Sequence, residues 1–574
     1  MADHFCARHE PLWRAAVTRK QPMRYREGPC SEEDRPPHVR AASGLSRFRE
    51  YIAVIQDDAN WLALIDAEGE VTAVPLPPSA NGDRVFSKRR GNRGDKYDLE
   101  ACVTVHSADG LELVGFSSGS RIEREWILRV REGHGVGLDL DAEFVPATPF
   151  PTTYQRYPGA PVVITNVTIL DGEGGRIDNG QIHFADGKIV AVGQSVSAPA
   201  GTQVIDGQGK YVTPGIIDVH SHLGDYPSPQ VAAHQDGNEA TAPARPEVWA
   251  EHSVWPQDPG FSRALANGGV TALQILPGSA NLFGGRSVTL KNVPARTVQG
   301  MKFPGAPYGL KMACGENPKR VYGDKGGPAT RMGNIAVTRQ TWINAKAYKA
   351  KWDAYEKNGG EAPEQDLAMD TLRGVLAGDI LVHNHCYRAD EMAIMVDLSK
   401  EAGYKIGTFH HAVESYKVAD ILAREGICSA MWADWYGFKM EAYDAIRENI
   451  PFVDRAGACA IVHSDDPNGI QRLNQEAAKA MAAGRRAGLP ITEEYAWRWL
   501  AMNPAKSLGI FEQTGSLKPG KMADVVLWNG NPFSTYTRPE RVWVDGALLH
   551  DANNPRLRAV SDFELGNPGE GDVK

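Results

Sequence analysis

Between Gly215 and about Gly509 the chain alternates short apolar runs with amphipathic stretches, and this alternation restricts the fold more than any other feature. The runs are Ile216–Val219, Val270–Leu276, Ser287–Leu290, Gly309–Ala313, Ile380–His383, Lys405–Phe409, Cys428–Trp432 and Ala458–Val462. ADEMAIMVDLSKEAG and ESYKVADILAREG, which follow the fifth and sixth runs, carry apolar residues at helical spacing. Strands alternating with helices in this way predict an α/β fold, a (β/α)8 TIM barrel with insertions over residues 215–512. An open doubly wound sheet is the structural rival, but no glycine-rich phosphate loop follows the first strand.

Strand-like segments flank the barrel on both sides. VVITNVTILDG, GQIHFADGKIVAVG and QVIDGQGKYVTPG precede it, and ADVVLWNGNP and RVWVDGALLHD follow it. They predict a composite β-sandwich assembled from residues 161–214 and 513–550, with the barrel inserted between the two halves. Upstream, residues 45–147 read as a β-rich module of about six strands with no helical pattern. Its stretch DLEACVTVHSADGLELVGFSSGS looks like one segment of a β-propeller, too small to close alone. A proline-rich linker over 148–160 separates module from sandwich. Residues 1–44, charged and weakly periodic, are expected to be poorly ordered, and 551–574 form a tail.

A chain of 574 residues exceeds a single core, consistent with this division. The net charge of −9, without long single-sign runs, argues against a nucleic-acid partner or an anionic membrane surface. No stretch has the length and apolarity of a membrane span, and the first residues lack the apolar core of a secretory signal. The expectation is therefore a cytoplasmic protein. Seven scattered cysteines, odd in number and without a CxxC pair, fit reduced thiols.

The sharpest chemical signal is TPGIIDVHSHLGD, an apolar strand ending in His220-Ser221-His222. Residues two apart on a strand face the same side, so both imidazoles point to one place at the barrel mouth. Two strand-end histidines satisfied by ordinary hydrogen bonds are the plain alternative. That alternative weakens because His385 closes DILVHNH, His411 closes KIGTFHH and Asp465 closes CAIVHSD. Strand C-termini of a TIM barrel converge on one face, which gathers five ligand-type residues there. The neighbours His383 and His410 are alternative members of the same set.

TPGIIDVHSH, GGVTALQILPGSAN, HSDDP and NPAKSLGI…GSLKPGKMADVVLW together resemble the amidohydrolase superfamily, and within it the imidazolonepropionase-related enzymes, over residues 150 to 550. The resemblance implies one or two divalent metal ions, zinc foremost. His220 and His222 would hold the first, with Asp465 as carboxylate ligand and proton acceptor. His385 and His411 would hold a second, or in a one-metal variant His385 joins the first and His411 polarises the substrate. A bridging anion is needed for two metals. Glu316 supplies it directly, or Lys311 does so once carbamylated; Glu316 is the reading preferred here because it sits nearer the mouth. Arg388 is a candidate anchor for a substrate carboxylate, with a surface pair to Asp390 as the plain alternative. Trp432, with Trp435 and Tyr436, is a candidate substrate wall or simple loop packing. His463 is a candidate substrate contact, a structural hydrogen bond being its commoner role.

The expected reaction is metal-dependent hydrolysis of a C–N bond, an amide or cyclic amide, in a small-molecule or peptide-like substrate. A mononuclear deaminase and an inactive scaffold on the same fold are the alternatives. Barrels of this type often associate, so a homo-oligomer is possible. The proline-rich lead-in resembles the start of exported relatives, which leaves a periplasmic or secreted origin open.

Overall fold

The computed structural model describes residues 23–557, apart from 80, 88, 93–95, 98, 108–109, 118–125, 133–139, 147–149, 229–230 and 359–361. The chain divides into two compact units, one of Met1–Pro151 with Trp352–Pro363, the other of Thr152–Lys351 with Glu364–Lys574.

In the first unit the described residues form two four-stranded antiparallel sheets. One runs Ala42–Phe48, Tyr51–Gln56, Trp61–Ile65 and Val71–Pro75; the other runs Leu99–Ser107, Gly110–Ser117, Trp126–Glu132 and Leu140–Pro146. Phe48, Leu62 and Leu64 of the first sheet share a core with Leu113 and Leu128 of the second. Each sheet has the size of a propeller blade. The expectation of disorder up to residue 44 fails for residues 23–44. Tyr25 is buried and its hydroxyl accepts from Gln56 Nε2 at 2.7 Å, so one inserted aromatic anchors a segment whose charges suggested no core. The first 22 residues and the tail beyond 557 lie outside the described residues.

The second unit carries the barrel. Its strands are β1 (Ile216–Ser221), β2 (Val270–Ile275), β3 (Phe283–Lys291), β4 (Gly309–Ala313), β5 (Leu381–His385), β6 (Ile406–His410), β7 (Cys428–Met431) and β8 (Cys459–Val462), hydrogen-bonded in that order. These are the eight apolar runs of the sequence, with ends displaced by a few residues. The sheet nearly closes: beyond the strand ends Asp465 N donates to His220 O at 3.0 Å. One strand departs from a regular TIM barrel. β3 runs antiparallel to both β2 and β4. The loop from Leu276 to Leu282 is too short for the dozen or more residues of a parallel crossover, so the chain turns back as a hairpin.

The helices pack outside. They include α1 (Pro259–Gly268), α2 (Glu316–Tyr322), α3 (Arg331–Asn358), α4 (Leu367–Ala377) and α5 (Ala389–Ala402). Asp258 caps α1 by accepting from Gly260 N at 2.9 Å, and Gly269 ends it in the left-handed conformation at φ 64°.

The two flanking segments build one mixed eight-stranded sheet. They meet where Tyr211–Pro214 pairs antiparallel with Val525–Trp528, Tyr211 opposite Trp528. Lys291, at the end of β3, joins barrel to sheet: its buried Nζ lies 2.8 Å from Asp545 Oδ2 and 3.7 Å from Asp524 Oδ1. Tyr154 donates to the same Asp545 carboxylate at 2.5 Å.

The seven-cysteine expectation also changes. Cys314 is bonded to Cys386, and Cys428 to Cys459, each pair bridging adjacent strands. Cys428 and Cys459 are register partners on β7 and β8, and Cys314 and Cys386 follow the register pair Ala313 and His385. Separations of 31 and 72 residues hide this neighbourhood from the sequence. Cys30 and Cys102 are free, and Cys6 lies outside the described residues.

Lys291→Met should leave two buried carboxylates without a cation and cost about 3–5 kcal/mol. Denaturant unfolding of the variant checks this; a loss below about 1 kcal/mol would show that the Lys291 clamp is not what joins barrel to sheet.

Candidate metal centre

β1 sets the geometry. Its alternation puts Asp218, His220 and, just past the strand, His222 on one side, while Ile217 and Val219 join an apolar cluster with Leu508 and Ile510 on the other. His222 Nδ1 lies 2.7 Å from the carbonyl oxygen of Leu276. A carbonyl only accepts, so the proton sits on Nδ1 and the Nε2 lone pair is left free. That Nε2 lies 3.3 Å from His220 Nε2, and both lie 3.2 Å from Asp465 Oδ1. Three ligand-type atoms thus converge on one point, a grouping that fits a metal ion.

Asp465 reaches this point from the loop after β8. Its other oxygen, Oδ2, lies 3.6 Å from His411 Nε2. Asp465 and His411 both hold left-handed backbone, at φ 56° and 57°. Such strain in non-glycine residues persists only where the surroundings impose it, and here it falls on two facing members of the site. His411 is held from behind: its Nδ1 is 2.8 Å from His463 Nε2, and its ring stacks on Trp432 at 4.6 Å. His385 lies beside it with ring centroids 4.8 Å apart. Neither nitrogen of His385, which is 3% exposed, has a hydrogen-bond partner among the described residues. A buried imidazole with both nitrogens unpaired is costly unless something else occupies a lone pair, which fits a ligand role.

The doubled histidines divide by their partners. His410 is hydrogen-bonded on both sides, Nδ1 to His220 Nδ1 at 2.9 Å and Nε2 to His383 Nδ1 at 2.9 Å. His383 and His410 therefore form a relay behind His220, while His385 and His411 face Asp465.

The two bridging candidates separate as well. Lys311 on β4 is fully buried, its Nζ donating to Pro277 O at 2.8 Å. Burial pulls its pKa down to about 7, with the Asp465 carboxylate opposing. Glu316 opens α2 instead, its side chain 36% exposed and its carboxylate 3.9 Å from Lys439 Nζ. The structure does not bring Glu316 to the histidines. The expected strand-end position gives way to the first turn of α2, which points its side chain to a neighbouring loop.

Arg388 pairs with Asp390 at 3.0 Å on the surface, the plain alternative. Trp432 is buried, stacks on both His411 and His463, and donates from Nε1 to Ser464 O at 2.8 Å. Trp432 and His463 thus act as a backing for His411 rather than as an open wall. Asp218 was not singled out from the sequence. Its carboxylate accepts from His220 N and Ser464 N, each at 3.2 Å, and contacts Ser464 Oγ. Burial lifts its pKa to about 7. A carboxylate inside an apolar strand, two residues before His220, was the available signal. Tyr387, buried and stacked on His411 at 5.5 Å, was missed too, because nothing in its local sequence marks it.

Burial lowers the pKa of His220, His383, His385, His410, His411 and His463, to about 3 for His383 and about 4 for His463. Neutral imidazoles are the form that binds metal.

A barrel with a cluster of histidines and an aspartate at its mouth defines a class, and comparison with known proteins places the chain within it. Residues 375–550 match the amidohydrolase family, and residues 38–145 match a family of unknown function (DUF6929). A solved amidohydrolase from Thermotoga maritima MSB8 is 34% identical, with a TM-score of 0.63, over 68% of this chain and 100% of that one. The amidohydrolase tasK of Hapsidospora irregularis is 32% identical over 73% of this chain, which spans 47% of that protein's length. The imidazolonepropionase of Mesorhizobium japonicum is 24% identical over 63% of this chain and 90% of its own. The protein belongs to the amidohydrolase family, a family of hydrolases.

The metal-free protein should lose stability as the pH falls from about 6.5 to about 4. Each lowered imidazole is neutral in the folded state where the unfolded chain takes up a proton, so unfolding gains protons through that window. Asp218 and the other carboxyls whose pKa burial raises, Asp225, Glu391, Asp454 and Asp524, act in the opposite sense, against seven lowered imidazoles, the six of the cluster and His550. Thermal unfolding of chelated protein at about pH 7 and about pH 5 measures it, and equal midpoints would contradict the neutral-imidazole assignment.

Proposed function

We propose that the chain is a metal-dependent hydrolase that cleaves a C–N bond, an amide or cyclic amide, in a small-molecule or peptide-like substrate. The convergence of His220 Nε2, His222 Nε2 and Asp465 Oδ1 within 3.3 Å carries this reading. His220 and His222 would hold a first divalent ion with Asp465, and His385 and His411 would hold a second. Zinc suits this imidazole and carboxylate set best. Lys311, once carbamylated, would supply the further anionic ligand in preference to Glu316, because it is buried on β4 and its amine has a pKa pulled down to about 7. A bound divalent ion supplies a water of lowered pKa and polarises the scissile carbonyl.

The remaining steps belong to side chains. Asp465 accepts the proton of the attacking water and returns it to the leaving nitrogen. The Leu276 carbonyl fixes the tautomer of His222, and the His383–His410 relay holds the ring of His220. His463 and Trp432 hold the His411 ring from behind, which leaves its Nε2 directed at the Asp465 carboxylate, where it would hold the second ion. The two cross-strand disulfides suit an oxidising compartment, which favours the periplasmic or secreted alternative over the cytoplasmic expectation.

Elemental analysis tests the centre. Wild-type protein should carry about two metal ions per chain, Lys311→Ala fewer, and Glu316→Ala the wild-type number. Native mass measurement should find one added CO2 that disappears in Lys311→Ala. One ion per chain, unaffected by either change, would point to a mononuclear deaminase; no ion after reconstitution would sink the hydrolase reading.

A further inference from the structure

Tyr226 stands one turn beyond His222. Its backbone N donates to His222 O at 3.0 Å, so the chain closes a helical turn between them and the two rings meet. The phenol lies edge-on to the imidazole, with ring centroids 5.7 Å apart and planes at 80°. Tyr226 lines a cavity of about 110 Å3 whose walls include His222 and Asp465, two of the three residues that converge in the candidate centre. It holds no place among the candidate ligands.

The bonds made by the hydroxyl decide what it can do. Asn238 Nδ2 lies 2.6 Å from Tyr226 Oη, and Asn238 Oδ1 accepts from Ala280 N at 3.0 Å. A backbone N–H only donates, so the Asn238 amide is fixed with its oxygen towards Ala280 and its nitrogen towards the phenol. An amide nitrogen also only donates. Tyr226 Oη is therefore the acceptor in this bond, and its own proton is not spent on it. The hydroxyl has no second hydrogen-bond partner among the described residues. A Cβ at Gly237 would fall 2.6 Å from Tyr226 Oη, and one at Gly278 would fall 2.3 Å from Asn238 Nδ2. A side chain at either position would displace the phenol or the amide that holds it. Ala280 belongs to the loop that carries Leu276 and Pro277, whose carbonyls meet His222 and Lys311. One loop thus sets the ligand geometry and the donor beside it.

Hydrolysis of a C–N bond passes through a tetrahedral carbon whose oxygen becomes negative, and a fixed donor beside that oxygen lowers the barrier. We infer that Tyr226 is such a donor: its hydroxyl hydrogen-bonds the substrate oxygen that takes up charge when water adds, with Asn238 as its positioning residue. The inference rests on the hydrolase reading and adds a residue to its machinery. No proton leaves the phenol; the bond strengthens as charge grows on the oxygen and weakens as the carbonyl re-forms.

The test uses zinc-loaded full-length protein and inorganic phosphate, a tetrahedral anion, with binding followed by titration calorimetry. Tyr226→Phe keeps the ring and removes only the hydroxyl. It should bind phosphate about 10-fold more weakly, at wild-type metal content and unfolding midpoint. Asn238→Asp separates donation from packing, because a carboxylate there takes the phenol proton while the contact between the two side chains is kept. Phosphate binding should weaken in this variant as well, and Tyr226→Phe/Asn238→Asp should lose less than the sum of the two single losses. Losses that add in full would show the anion feeling only the new charge, and would overturn the donor role. Equal phosphate affinity in wild type and Tyr226→Phe, or no phosphate binding by zinc-loaded wild type, would overturn it while leaving the hydrolase reading intact. A wild type that retains no zinc fails the hydrolase reading, and the donor role with it, at the elemental analysis and before any phosphate is added.

Discussion

The site depends on one junction, where the last barrel strand meets the first. Asp218 receives the backbone amides of His220 and Ser464 and contacts the Ser464 hydroxyl, and Asp465 N closes on His220 O. These bonds set the approach of the Asp465 carboxylate to the two Nε2 atoms of β1. They also account for the left-handed backbone at Asp465, which a less constrained loop would relax. Because every other candidate ligand is positioned relative to that carboxylate, the junction fixes the centre as a whole.

Around the junction, six buried histidines share one low-dielectric space, and geometry sorts them. His410 spends both of its nitrogens, on His220 and on His383, and His383 spends its Nδ1 on His410. His463 spends one on His411. His385 keeps both of its own unpaired. Burial holds all six uncharged, so the cluster lacks the mutual repulsion that six imidazolium ions would suffer, and it keeps lone pairs for ligands.

The antiparallel third strand has consequences beyond topology. Its short entry loop carries Leu276 and Pro277, whose carbonyls meet His222 and Lys311. The hairpin that interrupts the regular barrel thus supplies backbone acceptors to the candidate metal centre. At the far end of that strand, Lys291 secures the barrel to the sheet built from both flanks.

Local pattern was enough for much of this. Eight apolar runs with intervening helical periodicity, and histidines and an aspartate at strand ends, are visible in the sequence because strand and helix periods are local properties. The flanking segments read as strands for the same reason, while their meeting in one sheet is a pairing between residues far apart in the chain. What the sequence left undecided turned on side-chain direction and on contacts between distant residues. Glu316 and Lys311 were both acceptable bridges until the turn into α2 carried one away and the strand buried the other. His383 and His410 could not be told from His385 and His411 by spacing, since their roles follow from which nitrogen meets which partner. The disulfides and the Asp218–Ser464 tie join residues far apart in the chain. Periodicity determined the barrel strands and the candidate residues at their ends; only tertiary packing, which brings distant groups within hydrogen-bonding distance, decided which of them meet.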